Sequence, residues 1–196
     1  MISTLERTAL KEWAVLAKAM GRGDIIAMVR KGGIREQRAG FSVRHDRFLL
    51  YPTYFHEKAT ELAPRFVERL GDAGAARPPE GVVRLSLLCD VEAVWEVREL
   101  DALRAIEREH GLAWGAVESR FRYRDRPGVQ VVAVRASRLT SPAEVPEARR
   151  YAGCVSWVEL DADVDVGDAA PVLAPDALER RLAALAAALG DPSPRT

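Results

Sequence analysis

This sequence has little that would staple, anchor or strongly charge the chain. Its two cysteines, Cys89 and Cys154, lie far apart and neither belongs to a Cys-x-x-Cys pair, which excludes a disulfide scaffold and a zinc ribbon. No apolar run reaches the roughly 18 residues of a membrane-spanning helix, and the opening MISTLERTALKEW lacks the basic-then-apolar order of an export signal. The expectation is a soluble, cytoplasmic protein with no membrane partner. There is no net charge either, with 29 Lys and Arg against 29 Asp and Glu, so any basic surface has to be local. Neither phosphate-binding glycine fingerprint (G-x-x-x-x-G-K-[ST] or G-x-G-x-x-G) occurs, and there is no G-x-S-x-G nucleophile elbow.

What is there is segregated. Arg30, Lys31, Arg35, Arg38, Arg44 and Arg47 crowd one stretch against Glu36 and Asp46, whereas Glu159 to Glu179 holds seven acids and no base. A chain divided in this way can present a basic face and stay neutral overall. At 196 residues it is long enough for one well-packed domain, since about 150 residues already bury roughly 70% of their unfolded surface.

Patterning predicts the elements. EWAVLAKAM and DIIAMVRKG are apolar on two faces and are joined by Gly21-Arg22-Gly23-Asp24, which reads as a hairpin of central strands. GFSVRHDRFLLYP reads as a strand leaving the sheet at Pro52, in register with the strand over 25–30. Ala59, Leu62, Ala63, Phe66, Val67 and Leu70 follow a helical face that Pro64 should kink or split and Gly71 should end. Every odd position from Val83 to Val97 is apolar, a strand so long that it has to bend, coil or break. LDALRAIEREHGL reads as a helix, RFRYRDRPGVQVVAVRASRL as two strands about a turn, and GCVSWVEL as a last strand. The expected organisation is one domain over 1–161, an acidic linker over 162–175 and a C-terminal helix over 176–190. Leu178, Leu182, Leu185 and Leu189 lie along one side of that helix, for docking on the domain or for self-association. The element order does not alternate as βαβα, so the fold class is α+β, with a mixed, mainly antiparallel, barrel-like sheet and flanking helices.

Three clusters could carry chemistry. In the first, Arg30, Lys31 and Arg35 flank Gly32-Gly33, where a backbone without Cβ atoms can approach a phosphate; an ordinary β-turn with basic shoulders explains the same residues. Lys31→Ala with Arg35→Ala is expected to leave folding nearly intact and to weaken nucleic-acid binding. In the second, Arg44, His45, Arg47, Tyr51, Tyr54 and His56 set aromatics beside cations, as surfaces that stack bases and track phosphates do. Two histidines alone do not fill a structural zinc site, so no metal and no cofactor is expected. In the third, Arg120, Arg122 and Arg124 would point to one side of an extended strand, with an anion or an acidic protein face compensating them.

For catalysis, the best carboxylate set is Asp90, Glu92 and Glu96 on the even face of the long strand. A metal-dependent nuclease would want Lys where Arg98 stands, and a guanidinium that cannot deprotonate is a poor base. Cys154 reads as a buried, inert thiol. No catalytic residue is therefore assigned.

LKEWAVLAKAM, VRKGGI, FLLYPTYFH, ESRFRY and YAGCVSWVEL, in this order, resemble a family of uncharacterised bacterial proteins classed as a domain of unknown function. The similarity runs from about Leu10 to Leu160, and R-K-G-G-I and G-C-x-S-W are its most specific parts. It supplies no catalytic residues or cofactors to carry over to this chain. Some relatives are associated with an Mrr-type restriction endonuclease domain, which implies a restriction or defence setting in which this chain would recognise rather than cut. The leading expectation is a non-catalytic module binding DNA or RNA; the alternatives are a metal-dependent nuclease or other hydrolase on the strand carboxylates, and a module that binds a protein partner.

Overall fold

The chain enters its sheet earlier than the pattern predicts. In the computed structural model, which describes residues 4–31, 43–54, 57–123, 126–153 and 155–193, Leu5–Trp13 forms strand β1 and Ala14–Gly21 the helix α1. The hairpin expected here is thus corrected to a strand running straight into a helix. Ala14, Val15, Leu16, Ala17, Ala19 and Met20 are all buried, because α1 packs against the sheet and against the short helices that follow. A helix buried nearly all round shows no polar face to reveal its period.

Strand β2 (Ala27–Arg30) pairs antiparallel with β5 (Val129–Pro146), setting Val29 opposite Val131. The expected register with Phe48 and its neighbours is therefore corrected: the buried run Val131 to Val134 gives the doubly apolar β2 a better-matched neighbour. Strand β3 (Arg47–Thr53) lies between β1 and β4 (Val82–Val97). It is parallel to β1, with Tyr51 opposite Lys11, and antiparallel to β4, with Arg47 opposite Asp90.

The sheet order is β2-β5-β4-β3-β1-β6, where β6 is Trp157–Asp165, and a short β7 (Ala170–Pro171) pairs with β5. All these pairs are antiparallel except β1 with β3. The α+β class holds. The sheet curls but does not close into a barrel; a side chain spans from one strand to another, Arg30 Nη1 of β2 donating to the Lys11 carbonyl of β1 at 3.1 Å.

The long β4 is irregular between Leu85 and Leu87 and between Val91 and Ala93. Its side chains change phase at the first of these. Val83 and Leu85 join a smaller core with Ala9, Leu49, Tyr51 and Tyr151, whereas Leu87, Cys89 and Val91 join the larger core with Leu10, Leu50, α1 and the helices. Adjacent residues such as Leu49 and Leu50 feed different cores, so the two cores lie on opposite faces of the sheet.

Pro64 does split the helical pattern, into a 3-10 turn at Ala59–Glu61, α2 (Pro64–Val67) and α3 (Leu70–Ala75). Helix α3 runs through Gly71, which was expected to end it. A 3-10 turn at Leu100–Leu103 and α4 (Glu107–His110) end at Gly111, whose φ of +71° suits glycine, and where a Cβ would press on Leu16 and Phe66. ESRFR is not a strand but the end of helix α5 (Trp114–Arg122). Its buried Val117 and Phe121 are four residues apart, a helical spacing that the brief charged–aromatic alternation concealed.

Within the acidic stretch 162–175, β6 continues to Asp165 and β7 joins β5. Helix α6 (Pro175–Leu189) buries Leu178 and Leu185 and packs Leu182 and Leu189 against the larger core. Arg181 pins it, donating to Glu109 Oε2 from Nε at 2.9 Å and to the Gly23 carbonyl from Nη1 at 2.6 Å. No helix among the described residues is long and apolar enough to cross a membrane.

Candidate functional site

Two parallel neighbours, β1 and β3, end together at Trp13 and Thr53, and a crevice opens there. It has a volume of about 690 Å³ and lies against the last residue of β2, the start of β4 and the end of α5, within the usual range of about 300–1,000 Å³ for ligand sites. Among the cations lining it are Lys11, Arg30, Lys31, Arg77 and Arg120, and among the aromatics Trp13, Tyr51, Tyr54, Tyr123 and Tyr151.

One wall is guanidinium. Arg30 donates to the Lys11 carbonyl and lies 3.3 Å from Glu12 Oε2. Arg120 donates to the Val29 carbonyl at 2.9 Å and stacks 5.3 Å from the Trp13 ring centre. Burial lowers the Arg120 pKa, with Glu12 opposing that shift and Arg30 adding to it. Beside this wall, the Lys31 ammonium donates to the carbonyls of Phe121 at 3.1 Å, Gly128 at 2.5 Å and Arg126. Its three protons are thereby committed to the backbone, and burial lowers its pKa.

The other wall is phenolic. Tyr51 is 2% exposed and meets Tyr151 edge to face at 6.3 Å, and the Lys11 ammonium stands 5.7 Å from its ring. Burial first, then the charge of Glu147 beside it, push the Tyr51 phenol well above its usual ionisation range. At the rim, the Arg77 guanidinium lies 5.2 Å from the ring of the half-buried Tyr54.

Of the twelve residues proposed from sequence, Arg30, Lys31, Tyr51, Tyr54 and Arg120 meet at this cleft. Arg35, His56 and Arg124 lie outside the described residues, as do Gly32-Gly33 and Cys154. The others stand elsewhere. Arg47, four residues before Tyr51 and thus about 13 Å up the strand, bonds Asp90 at 2.8 Å. Arg44 is exposed, and the exposed His45 packs edge-on against Trp157 at 5.0 Å. Arg120 and Arg122 do not share a side: two residues apart on a helix, one turns inward and the other is exposed, 3.5 Å from Glu118.

Sequence reasoning passed over Lys11, Trp13, Arg77, Glu147 and Tyr151. The register of β1 would have revealed the first two, because Lys11 and Trp13 fall opposite Tyr51 and Thr53; the other three sit on connections with no periodic signal.

The carboxylates considered for catalysis do not converge. Asp90 pairs with Arg47, Glu92 with Arg135 at 2.6 Å, and Glu96 with Arg98 at 3.9 Å. Six residues of strand separate Asp90 from Glu96, about 20 Å. Among the described residues no group of three or more His, Cys, Asp or Glu side chains is placed to hold a metal ion. Cys89 is fully buried, and burial raises its thiol pKa beyond ready ionisation.

The profile of the family described as Domain of unknown function (DUF1802) matches residues 9–184, and the chain belongs to that family. No curated protein and no solved structure is significantly similar to it.

Proposed function

We propose, since the family description names no activity, that the protein is a non-catalytic nucleic-acid-recognition module and that the cleft at the ends of β1 and β3 is its binding centre. The observation that carries this reading is the joining of guanidinium and phenol walls in one cavity of about 690 Å³. Guanidinium groups suit phosphate oxygens, and aromatic rings suit the faces of bases. Restriction or defence is the setting that fits recognition without cutting, because the carboxylates a metal-dependent nuclease would use are spread along β4, each beside an arginine.

Binding of labelled 12-nucleotide DNA and RNA, followed by fluorescence anisotropy, tests the reading. Affinity is expected to fall steeply with salt, log K changing by about −0.7 per phosphate contacted on single strands. Tyr54→Ala should weaken binding about tenfold by removing one stacking surface. Failure of every oligonucleotide to bind at low salt, or binding indifferent to salt, overturns the proposal.

A further inference from the structure

The two walls of the cleft differ in what they can recognise. The guanidinium groups of the wall built on β2 and α5 offer donors and no acceptor. The phenol wall, resting on the smaller core, offers the Glu147 carboxylate beside the hydroxyl of Tyr51. That hydroxyl is buried and interacts with the Glu147 side chain, but among the described residues it makes no hydrogen bond of ordinary geometry. A buried polar atom so weakly partnered, in a cavity wall, marks a place where a ligand atom can complete the bond.

We infer that the cleft takes a single nucleotide out of its base stack and favours a base bearing an exocyclic amino group, read by Glu147 and Tyr51. This rests on the nucleic-acid reading above and goes beyond it. The cleft is concave and bounded by the ends of β1, β2, β3 and α5 and by the start of β4. A base can lie against rings inside such a space only after leaving its neighbours, which costs a few kcal/mol in a duplex and far less in a single strand. The phosphate then turns toward Arg120 and Arg30, the donor wall.

Base preference follows from the edges. A carboxylate accepts protons and gives none. Guanine offers it two adjacent N–H groups. Adenine and cytosine offer an amino group beside a ring nitrogen, and that nitrogen can take the Tyr51 proton. Thymine and uracil have one N–H between two carbonyl oxygens, which turn their lone pairs toward the carboxylate.

The test uses dT 12-mers in which one central nucleotide is replaced by dA, dC or dG, together with a matched 12-base-pair duplex. A single replacement should tighten binding about tenfold, the lower part of the range for one paired base-edge contact. The duplex should bind at least tenfold more weakly than the single strands at equal salt. Glu147→Gln should abolish the gain from dA, dC and dG while leaving the salt slope unchanged. Glu147 is exposed, so this variant is expected to fold, and a melting curve verifies that. Binding that ignores the central base, or a duplex bound as tightly as a single strand, overturns this inference and leaves the broader reading standing. No binding by any of these oligonucleotides removes both.

Discussion

Arg120 donates from α5 to the carbonyl oxygen of Val29 on β2, across 2.9 Å. Val29 is buried and β2 lies at one end of the strand order, so this arginine caps an edge that another strand would otherwise have to cover.

Two arginines separated by one residue should therefore behave differently. Arg120→Ala is expected to cost about 2 kcal/mol, because it leaves a buried acceptor without its donor. Arg122→Ala should cost about 0.5 kcal/mol or less, the usual value of an exposed helical ion pair. Urea denaturation of both variants measures the contrast, and equal losses would refute the inward placement of Arg120.

Lys31 reverses its sequence-based expectation. An exposed phosphate-binding lysine is replaceable at little cost, but this ammonium holds the carbonyls of Phe121, Arg126 and Gly128 together. Lys31→Ala should destabilise the protein by about 2 kcal/mol, and Lys31→Met, which keeps the stem without the charge, should recover little of that. Full stability of either variant in a thermal melt would return Lys31 to the surface.

Acid should loosen the fold through His110. Its ring is 1% exposed, and its Nδ1 accepts the Leu112 amide at 3.1 Å. Burial first, then the charges of Arg120 and Arg65, lower its pKa from 6.5 to about 4. Between those values the unfolded chain takes up a proton that the folded chain refuses. Stability from this group is thus complete above about pH 6.5 and declines as the pH falls toward 4, by about 3 kcal/mol in total. Urea midpoints at pH 7, 5.5 and 4.5 should show the decline, and His110→Gln should flatten this part of it.

The C-terminal helix should act as part of the domain. Leu185 is 1% exposed, and Leu185→Ala is expected to lower stability by about 3 kcal/mol. A single cooperative loss in denaturant, with tryptophan fluorescence and far-ultraviolet circular dichroism shifting together, would confirm the coupling; the helix end is tied to β4, where the Trp95 indole donates to the Gly190 carbonyl. Fraying of α6 alone, with the rest unchanged, would contradict it.

Strands with strong alternation and helices with clear stops were legible in the sequence: β4, the Pro64 break, the Gly111 stop and α6 all follow local chemistry. Helix α1 was not, because burial on nearly every side erases the polar face that marks a helical period. The pairing of β2 with β5 was not legible either, since nothing between residues 30 and 129 announces so distant a partner. The cleft was half legible. Arg30, Tyr51, Tyr54 and Arg120 were singled out for their chemistry, but reading Arg120 on a strand gave it the wrong neighbours. Glu147 and Tyr151 reach the cleft through the return of β5, which composition cannot report.

The change of phase within β4 also bears on cooperativity. One strand supplies Val83 and Leu85 to one core and Leu87, Cys89 and Val91 to the other. Neither core can come apart while the other keeps β4 in place, so each half inherits the stability of the whole. The cleft borrows from this arrangement: its phenol wall rests on the smaller core, which a chain with separate strands would have left free to breathe. A ligand bound at the phenol wall would thereby be coupled to the unfolding equilibrium of the entire sheet, and is expected to raise the single melting transition rather than a local one.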